Sequence, residues 1–160
     1  MKRKIYIETS VISYLTARPS KTILGAAHQQ ITLAWWETRS QYELLVSESV
    51  LRECGAGDPD AAQKRLAVLK DIPLLLVTEQ ALNIAESLVE RGIIPVKAAE
   101  DALHIAVATV HGVDYMLTWN CRHIANPEIQ RSIAEYLEQI GLFLQFICTP
   151  EELFGEENAQ

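Results

Sequence analysis

The chain has 160 residues, of which 49% are hydrophobic and 22% are charged. That length suits one domain, and that balance supports a buried core and excludes a disordered chain. The net charge of −7 argues against a protein that binds nucleic acid by spreading a basic surface over phosphates, and is compatible with a cluster of acids that recruits cations.

No internal repeat or low-complexity tract is present. Residues 4–8 read as a first strand, KIYIE, which runs into Glu8 with no basic residue beside it. Residues 21–38 read as a helix, because Leu24, Ala27, Ile31 and Trp35 recur at helical spacing. Of the adjacent Trp35 and Trp36, one belongs in the core and the other is expected to be partly exposed. Residues 43–47 read as the second strand. A short helix at about 48–54 ends near Gly55-Ala56-Gly57, and Asp58-Pro59 opens the next helix. Residues 74–77 read as the third strand, and Thr78 caps a helix that runs to about 91, where Gly92 stops it.

Residues 97–111 form a further helix, rich in Ala and Val and apolar on nearly all sides, which places it in the interior. Residues 115–118 read as the fourth strand. A helix at 127–140 starts at Pro127, and residues 143–147 read as the fifth strand. Thr149-Pro150-Glu151-Glu152 is close to a capping box, and the acidic tail 155–160 is expected to fray. The domain is thus placed at 1–150, with a helix start and tail at 151–160. Short, continuously apolar strands that alternate with helices predict a parallel sheet covered on both faces.

No apolar run approaches the ~20 residues that a membrane helix needs. The basic start Met-Lys-Arg-Lys leads into a short strand and an acid, unlike a signal peptide. A cytoplasmic protein is expected. Cys54, Cys121 and Cys148 are an odd number with wide spacing, which fits reduced thiols better than a disulfide framework. The pair Cys121 and His123 has no second pair at zinc-ligand spacing.

In open α/β sheets, ligands sit beyond the carboxyl ends of the strands. Glu8 stands after the first strand, Glu48 and Glu53 follow the second, and Asn120 follows the fourth. Glu100 and Asp101 occupy the first turn of the interior helix. Taken singly, each has an ordinary explanation as a solvated strand end, a helix-dipole partner or a turn residue. Their convergence on one sheet edge is what points to a site. Asp101 borders the inward face of its helix, whereas Glu100 falls outside. Glu53 stands one turn into its helix and can reach back over the sheet. Clustered carboxylates repel one another unless a cation joins them. Hard oxygen ligands favour Mg²⁺ or Mn²⁺, which polarise phosphates and activate water for phosphodiester cleavage.

Four segments carry a family resemblance: IYIETSVISYL at 5–15, LLVSESVLREC at 44–54, AAEDALHIAVATVHGVDYMLTWN at 98–120 and CRHIAN at 121–126. In their order and spacing they resemble the PIN-domain family, and within it the VapC-type toxin endoribonucleases of bacterial toxin–antitoxin pairs. The resemblance covers roughly residues 4–150. It implies a three-layer α/β/α sandwich with a five-stranded, mainly parallel sheet. It also implies a divalent-metal-dependent ribonuclease, a homodimer, and a small antitoxin protein as inhibitor.

By the same resemblance Glu8 is the first acid, Glu53 the second after Val50-Leu51-Arg52, and Asp101 the third in Asp101-Ala102-Leu103-His104-Ile105-Ala106. Asn120 takes the fourth position after Leu117-Thr118-Trp119. Thr9, Ser10 and Thr118 match hydroxyl positions that orient acids or waters. Glu8 and Asp101 are expected to hold the metal, with Glu53 helping through a water. Lys97, Arg122 and Arg131 are the candidate RNA contacts.

Two positions depart from the pattern. The first acid is usually Asp, and Glu8 is longer by one C–C bond, ~1.5 Å. The fourth is usually an acid, and Asn120 adds no charge, which favours one metal over two. His104, one turn after Asp101, either faces the site or is a satisfied histidine beside the core. His123 is expected to bond within its loop. Two other functions compete. One is a non-catalytic PIN-like module that binds protein or RNA. The other, a phosphorylated receiver domain, lacks its acceptor Asp, since Thr78-Glu79 follows the third strand, and lacks its Lys, since Cys148-Thr149 follows the fifth.

Overall fold

The structure, a computed structural model, describes residues 1–154; the tail at 155–160 lies outside the described residues. Strand β1 (Arg3–Ile7) leads into helix α1 (Thr9–Thr16) and then α2 (Ile23–Trp36). Strand β2 (Tyr42–Ser47) is followed by α3 (Glu48–Cys54) and α4 (Pro59–Leu69), and β3 (Leu74–Leu75) by α5 (Glu79–Glu90) and α6 (Ala99–Val110). Strand β4 (Tyr115–Leu117), α7 (Pro127–Gln139), β5 (Phe146–Cys148) and α8 (Pro150–Phe154) complete the described chain.

The five strands form one sheet in the order β3-β2-β1-β4-β5, and every pair is parallel. Ile5 of central β1 lies opposite Leu44 on one side and Tyr115 on the other. Ile5, Tyr6 and Ile7 are all fully buried. Successive strand residues point to opposite faces, so helices must cover both. This is the expected α/β/α sandwich. Because all strands run the same way, the segments leaving β1, β2 and β4 emerge on one edge.

Local signals fix many boundaries. The side chains of Thr22, Ser47, Asp58, Thr78 and Asn126 accept hydrogen bonds from the first turns of the helices they precede. Pro59 and Pro127 sit at helix starts, where a missing N–H costs nothing. Gly92 ends α5 with φ of +72°, a conformation that side chains disfavour. Helix α6 is the interior helix expected, with Ala102 and residues 104–109 buried.

Four details differ from the sequence reading. Helix α1 had no counterpart in it: the run Thr9-Ser10-Val11-Ile12 is rich in β-branched residues, yet Glu8 caps it and Val11 and Ile12 are fully buried. On α2 the buried residues are Thr32 and Trp35, whereas Leu24 is 67% exposed. Strand β3 is two residues instead of four, and Leu76 lies outside it. Strand β5 starts at Phe146 instead of residue 143, because pairing with Tyr115 of β4 sets the register.

Candidate functional site

The acid after β1 is the N-cap of α1. Its backbone N–H extends the ladder to Leu117 O at 3.0 Å. Its carboxylate, only 6% exposed, is met by three neutral donors: Ser10 N at 3.0 Å on Oε2, and Ser10 Oγ and Thr118 Oγ1, each at 2.5 Å, on Oε1. The two hydroxyls also accept. Ser10 Oγ takes Trp119 N at 2.9 Å and Thr118 Oγ1 takes Asn120 N at 2.9 Å. The Glu8 carboxylate thereby organises the loop that leaves β4. Trp119 adds a lateral anchor, with its ring stacked on His28 at 4.0 Å and Nε1 donating to Thr32 Oγ1 at 2.7 Å.

The loop continues to the third acid. Asn120 Oδ1 accepts from Arg122 N at 3.2 Å and His123 N at 3.0 Å, so its acceptor serves the turn. His123 Nδ1 in turn lies 3.3 Å from Asp101 Oδ2. Asp101 sits in the first turn of α6 with its side chain 21% exposed, while neighbouring Glu100 points out and pairs with Arg52 at 2.6 Å. Asp101 is thus the more buried of the two and Glu100 the outward one, as their helix positions predict.

The second acid has different company. Glu53 Oε1 accepts from Thr9 Oγ1 at 2.8 Å and is hydrogen-bonded to His104 Nε2. His104, Tyr6 and Ser47 are fully buried. Tyr6 Oη lies 2.6 Å from His104 Nδ1 and 2.7 Å from Ser47 Oγ. Glu48 is turned away and accepts Val77 N at 2.7 Å.

Electrostatics ties the acids together. Burial works against a charge on His104, but the hydrogen bond to Glu53 and the charges of Glu53, Glu8 and Asp101 outweigh it and raise its pKa. Burial likewise works against the Glu53 charge, and the bond and charge of His104, with Thr9 and Arg52, outweigh it and hold its carboxyl below the usual range. Burial pushes the Tyr6 phenol far up, so it stays protonated. Three acids from three segments therefore act on one buried histidine.

The structure thus bonds Glu53 to His104, joins Glu53 through Thr9 to the segment that follows Glu8, and places Asn120 in the turn that links Glu8 to Asp101. Among the described residues, no group of three or more His, Cys, Asp or Glu side chains is arranged to hold a metal ion. Of the candidate RNA contacts, Lys97 lies in the turn before α6 and Arg122 in the Asn120 turn, both exposed, whereas Arg131 on α7 pairs with Glu135 at 3.5 Å. The sequence reading missed Tyr6 and Ser47. A tyrosine inside a fully apolar strand was the available signal, because a buried phenol hydroxyl requires a partner. No helix among the described residues is long and apolar enough to cross a membrane.

An all-parallel sheet in this strand order, with carboxylates gathered beyond its carboxyl edge, defines the class: the chain has a PIN/VapC-like fold. The structure is similar to VapC20 of Mycobacterium tuberculosis, a sarcin-ricin-loop-cleaving toxin, with a TM-score of 0.58 and 18% identity over 74% of this chain and 91% of that one. It is also similar to VapBC2 of Rickettsia felis, solved bound to a DNA fragment from their promoter, with a TM-score of 0.52 and 13% identity over 91% of this chain and 98% of that one. No protein-family model matches the sequence, and no curated protein matches it.

Proposed function

We propose that the protein is a divalent-metal-dependent endoribonuclease, the toxin of a toxin–antitoxin pair. The observation that carries this reading is that three acids from separate segments are linked at the carboxyl edge of a PIN/VapC-like sheet: Glu53 bonds Thr9 beside Glu8, and Glu8 is tied to Asp101 through Thr118, Asn120 and His123. The donor set fits a cation that keeps most of its waters. Mg²⁺ commonly binds through one or two carboxylates together with substrate phosphates, without an all-protein cage. Glu8 and Asp101 are the residues that would hold Mg²⁺ or Mn²⁺. When bound, the ion supplies charge that polarises a phosphodiester and makes water more acidic.

The chain's own groups do the rest. Ser10 and Thr118 fix the Glu8 carboxylate without neutralising it, so its charge remains available. Among the described residues, both hydrogen bonds to Glu53 fall on Oε1. Oε2 is then the oxygen that can accept a hydrogen bond from the attacking water. Lys97, in the turn before α6, and Arg122, in the Asn120 turn, are the exposed cations that would meet RNA phosphates.

The partners follow from the same reading. A small antitoxin with a basic segment would satisfy the acid cluster, and the Rickettsia felis neighbour is itself a VapBC complex. A homodimer is the expected assembly. The test is cleavage of a labelled single-stranded RNA in Mg²⁺ or Mn²⁺, in EDTA, and with Asp101→Asn. Cleavage should need the metal and fail in the variant. Cutting that persists in EDTA overturns the reading. The second reading, a binding module without nuclease activity, is favoured by the internal partners that each acid already has; RNA binding without cleavage in either metal would establish it.

A further inference from the structure

We propose that His104 is a positioning residue: with Tyr6 and Ser47 it forms a buried relay that pins one oxygen of Glu53 and leaves the other directed at the substrate side. The proposal rests on the ribonuclease reading above and deepens it. Four elements contribute: Tyr6 from β1, Ser47 from the end of β2, His104 from α6 and Glu53 from α3. Thr9, at the start of α1, adds the second donor to Glu53.

The geometry is directional. Tyr6 Oη bridges Ser47 Oγ at 2.7 Å and His104 Nδ1 at 2.6 Å. With Nδ1 occupied by Tyr6, the other ring nitrogen, Nε2, faces Glu53. This holds in either protonation state. In the neutral ring Tyr6 donates to Nδ1 and Nε2–H donates to Glu53; in the charged ring Nδ1–H donates to Tyr6 and Nε2–H still donates to Glu53. Any buried imidazole needs partners for its nitrogens; what is particular here is that one of them is a partly exposed carboxylate at the sheet edge. Here every polar atom of three fully buried side chains is used in one chain of contacts that ends on a carboxylate whose side chain is 32% exposed.

Both donors to Glu53 converge on Oε1, and among the described residues Oε2 carries no hydrogen bond. The relay therefore sets which oxygen is free and fixes the rotation of the carboxylate. A carboxylate held in this way works as a fixed acceptor that orients a water. Ser47 also accepts Val50 N at 3.3 Å as the N-cap of α3, so the same hydroxyl fixes the start of the helix that carries Glu53. Outer groups that orient a site's carboxylates and imidazoles typically contribute about 10- to 100-fold to activity.

The experiment uses the full chain and a fluorescein-labelled single-stranded RNA that the wild type cuts. His104→Leu should lower kcat about 10- to 100-fold with KM nearly unchanged. His104→Gln keeps a donor toward Glu53 and should recover most of the loss. The double variant His104→Leu/Glu53→Gln should be no slower than Glu53→Gln alone, because groups that act through one carboxylate are not additive. Wild-type kcat in His104→Leu, or losses that multiply in the double variant, overturn the proposal. If His104→Leu does not fold, Tyr6→Phe takes its place: it keeps the ring, removes the anchor at Nδ1, and should lower kcat without changing KM.

A second readout separates this proposal from the ribonuclease reading. ¹H–¹⁵N spectra of the imidazole in the metal-free, RNA-free protein should show a protected, downfield Nε2 proton that is lost in Glu53→Gln. If the wild type cuts no RNA but shows that proton, the ribonuclease reading falls and the relay stands. If the proton is missing, the relay falls whatever the activity.

Discussion

Glu8 and Glu53 carry the same carboxylate at the same sheet edge, and the fold treats them in opposite ways. Glu8 is nearly buried and meets three neutral donors. Glu53 is more open and meets a histidine whose own charge it favours. Hydroxyls and amides orient a carboxylate but leave its net charge in place, while an imidazolium cancels it. Glu8 thus has only neutral donors, whereas Glu53 has a partner that can itself carry charge. Under the proposed function, this contrast is why Glu8 and Asp101, and not Glu53, are assigned to the ion.

The contrast can be broken most directly at Asp101. Asp101→Asn should abolish metal-dependent RNA cleavage, with circular dichroism unchanged. Cleavage near the wild-type rate would remove the Glu8 and Asp101 pair as the metal site.

A second test acts on stability. Glu8→Ala removes a helix cap and leaves the hydroxyl of Thr118 and the N–H of Ser10 without their acceptor. It should cost about 1–3 kcal/mol in denaturant unfolding. A loss well below that range would mean that the hydroxyls find other partners and that Glu8 is not the organiser of the 118–120 loop.

The pH dependence of the Glu53 and His104 pair sharpens the same contrast. His104 is raised above its ordinary 6.5, so its stabilisation is complete below 6.5 and is lost as pH climbs through the folded value. Glu53 is lowered from 4.5, so its stabilisation is complete above 4.5 and is lost as pH falls through the folded value. The melting-temperature gap between wild type and His104→Leu should therefore be widest between 4.5 and 6.5 and narrow on either side. A flat gap would show that the pair holds by packing alone.

The smallest effect belongs to the rim. Arg52 and Glu100 pair at 2.6 Å but their side chains are 62% and 55% exposed. Glu100→Gln should change stability by less than about 1 kcal/mol and leave cleavage at the wild-type rate. A large loss of activity would instead bring Glu100 into the site.

Much of this was legible in the chain itself. Alternation of short apolar runs with capped helices specifies a parallel α/β sheet, because strands buried on both faces must be apolar throughout. Caps and prolines are local signals, so Asp58-Pro59, Thr78 and Pro127 mark their helices correctly. The acids Glu8, Glu53 and Asp101 stand out for a related reason: their positions after strands and at a helix start are sequence facts, and in a parallel sheet those ends share one edge.

What the sequence leaves open depends on partners far along the chain. Helix α1 begins where it does because the Glu8 carboxylate reaches Ser10 N while gripping Thr118, which lies 110 residues away. The ends of β3 and β5 depend on register with a neighbouring strand. The state of His104 is the clearest case. Its sequence position allowed either a core residue or one facing the acids, and folding buries it while bringing Tyr6, itself bonded to Ser47, to one nitrogen and Glu53 to the other. Apolar periodicity is a local property and can be read along one chain. The polar partners of a buried ring are set only when separate segments close around it, so they are decided by the tertiary structure alone.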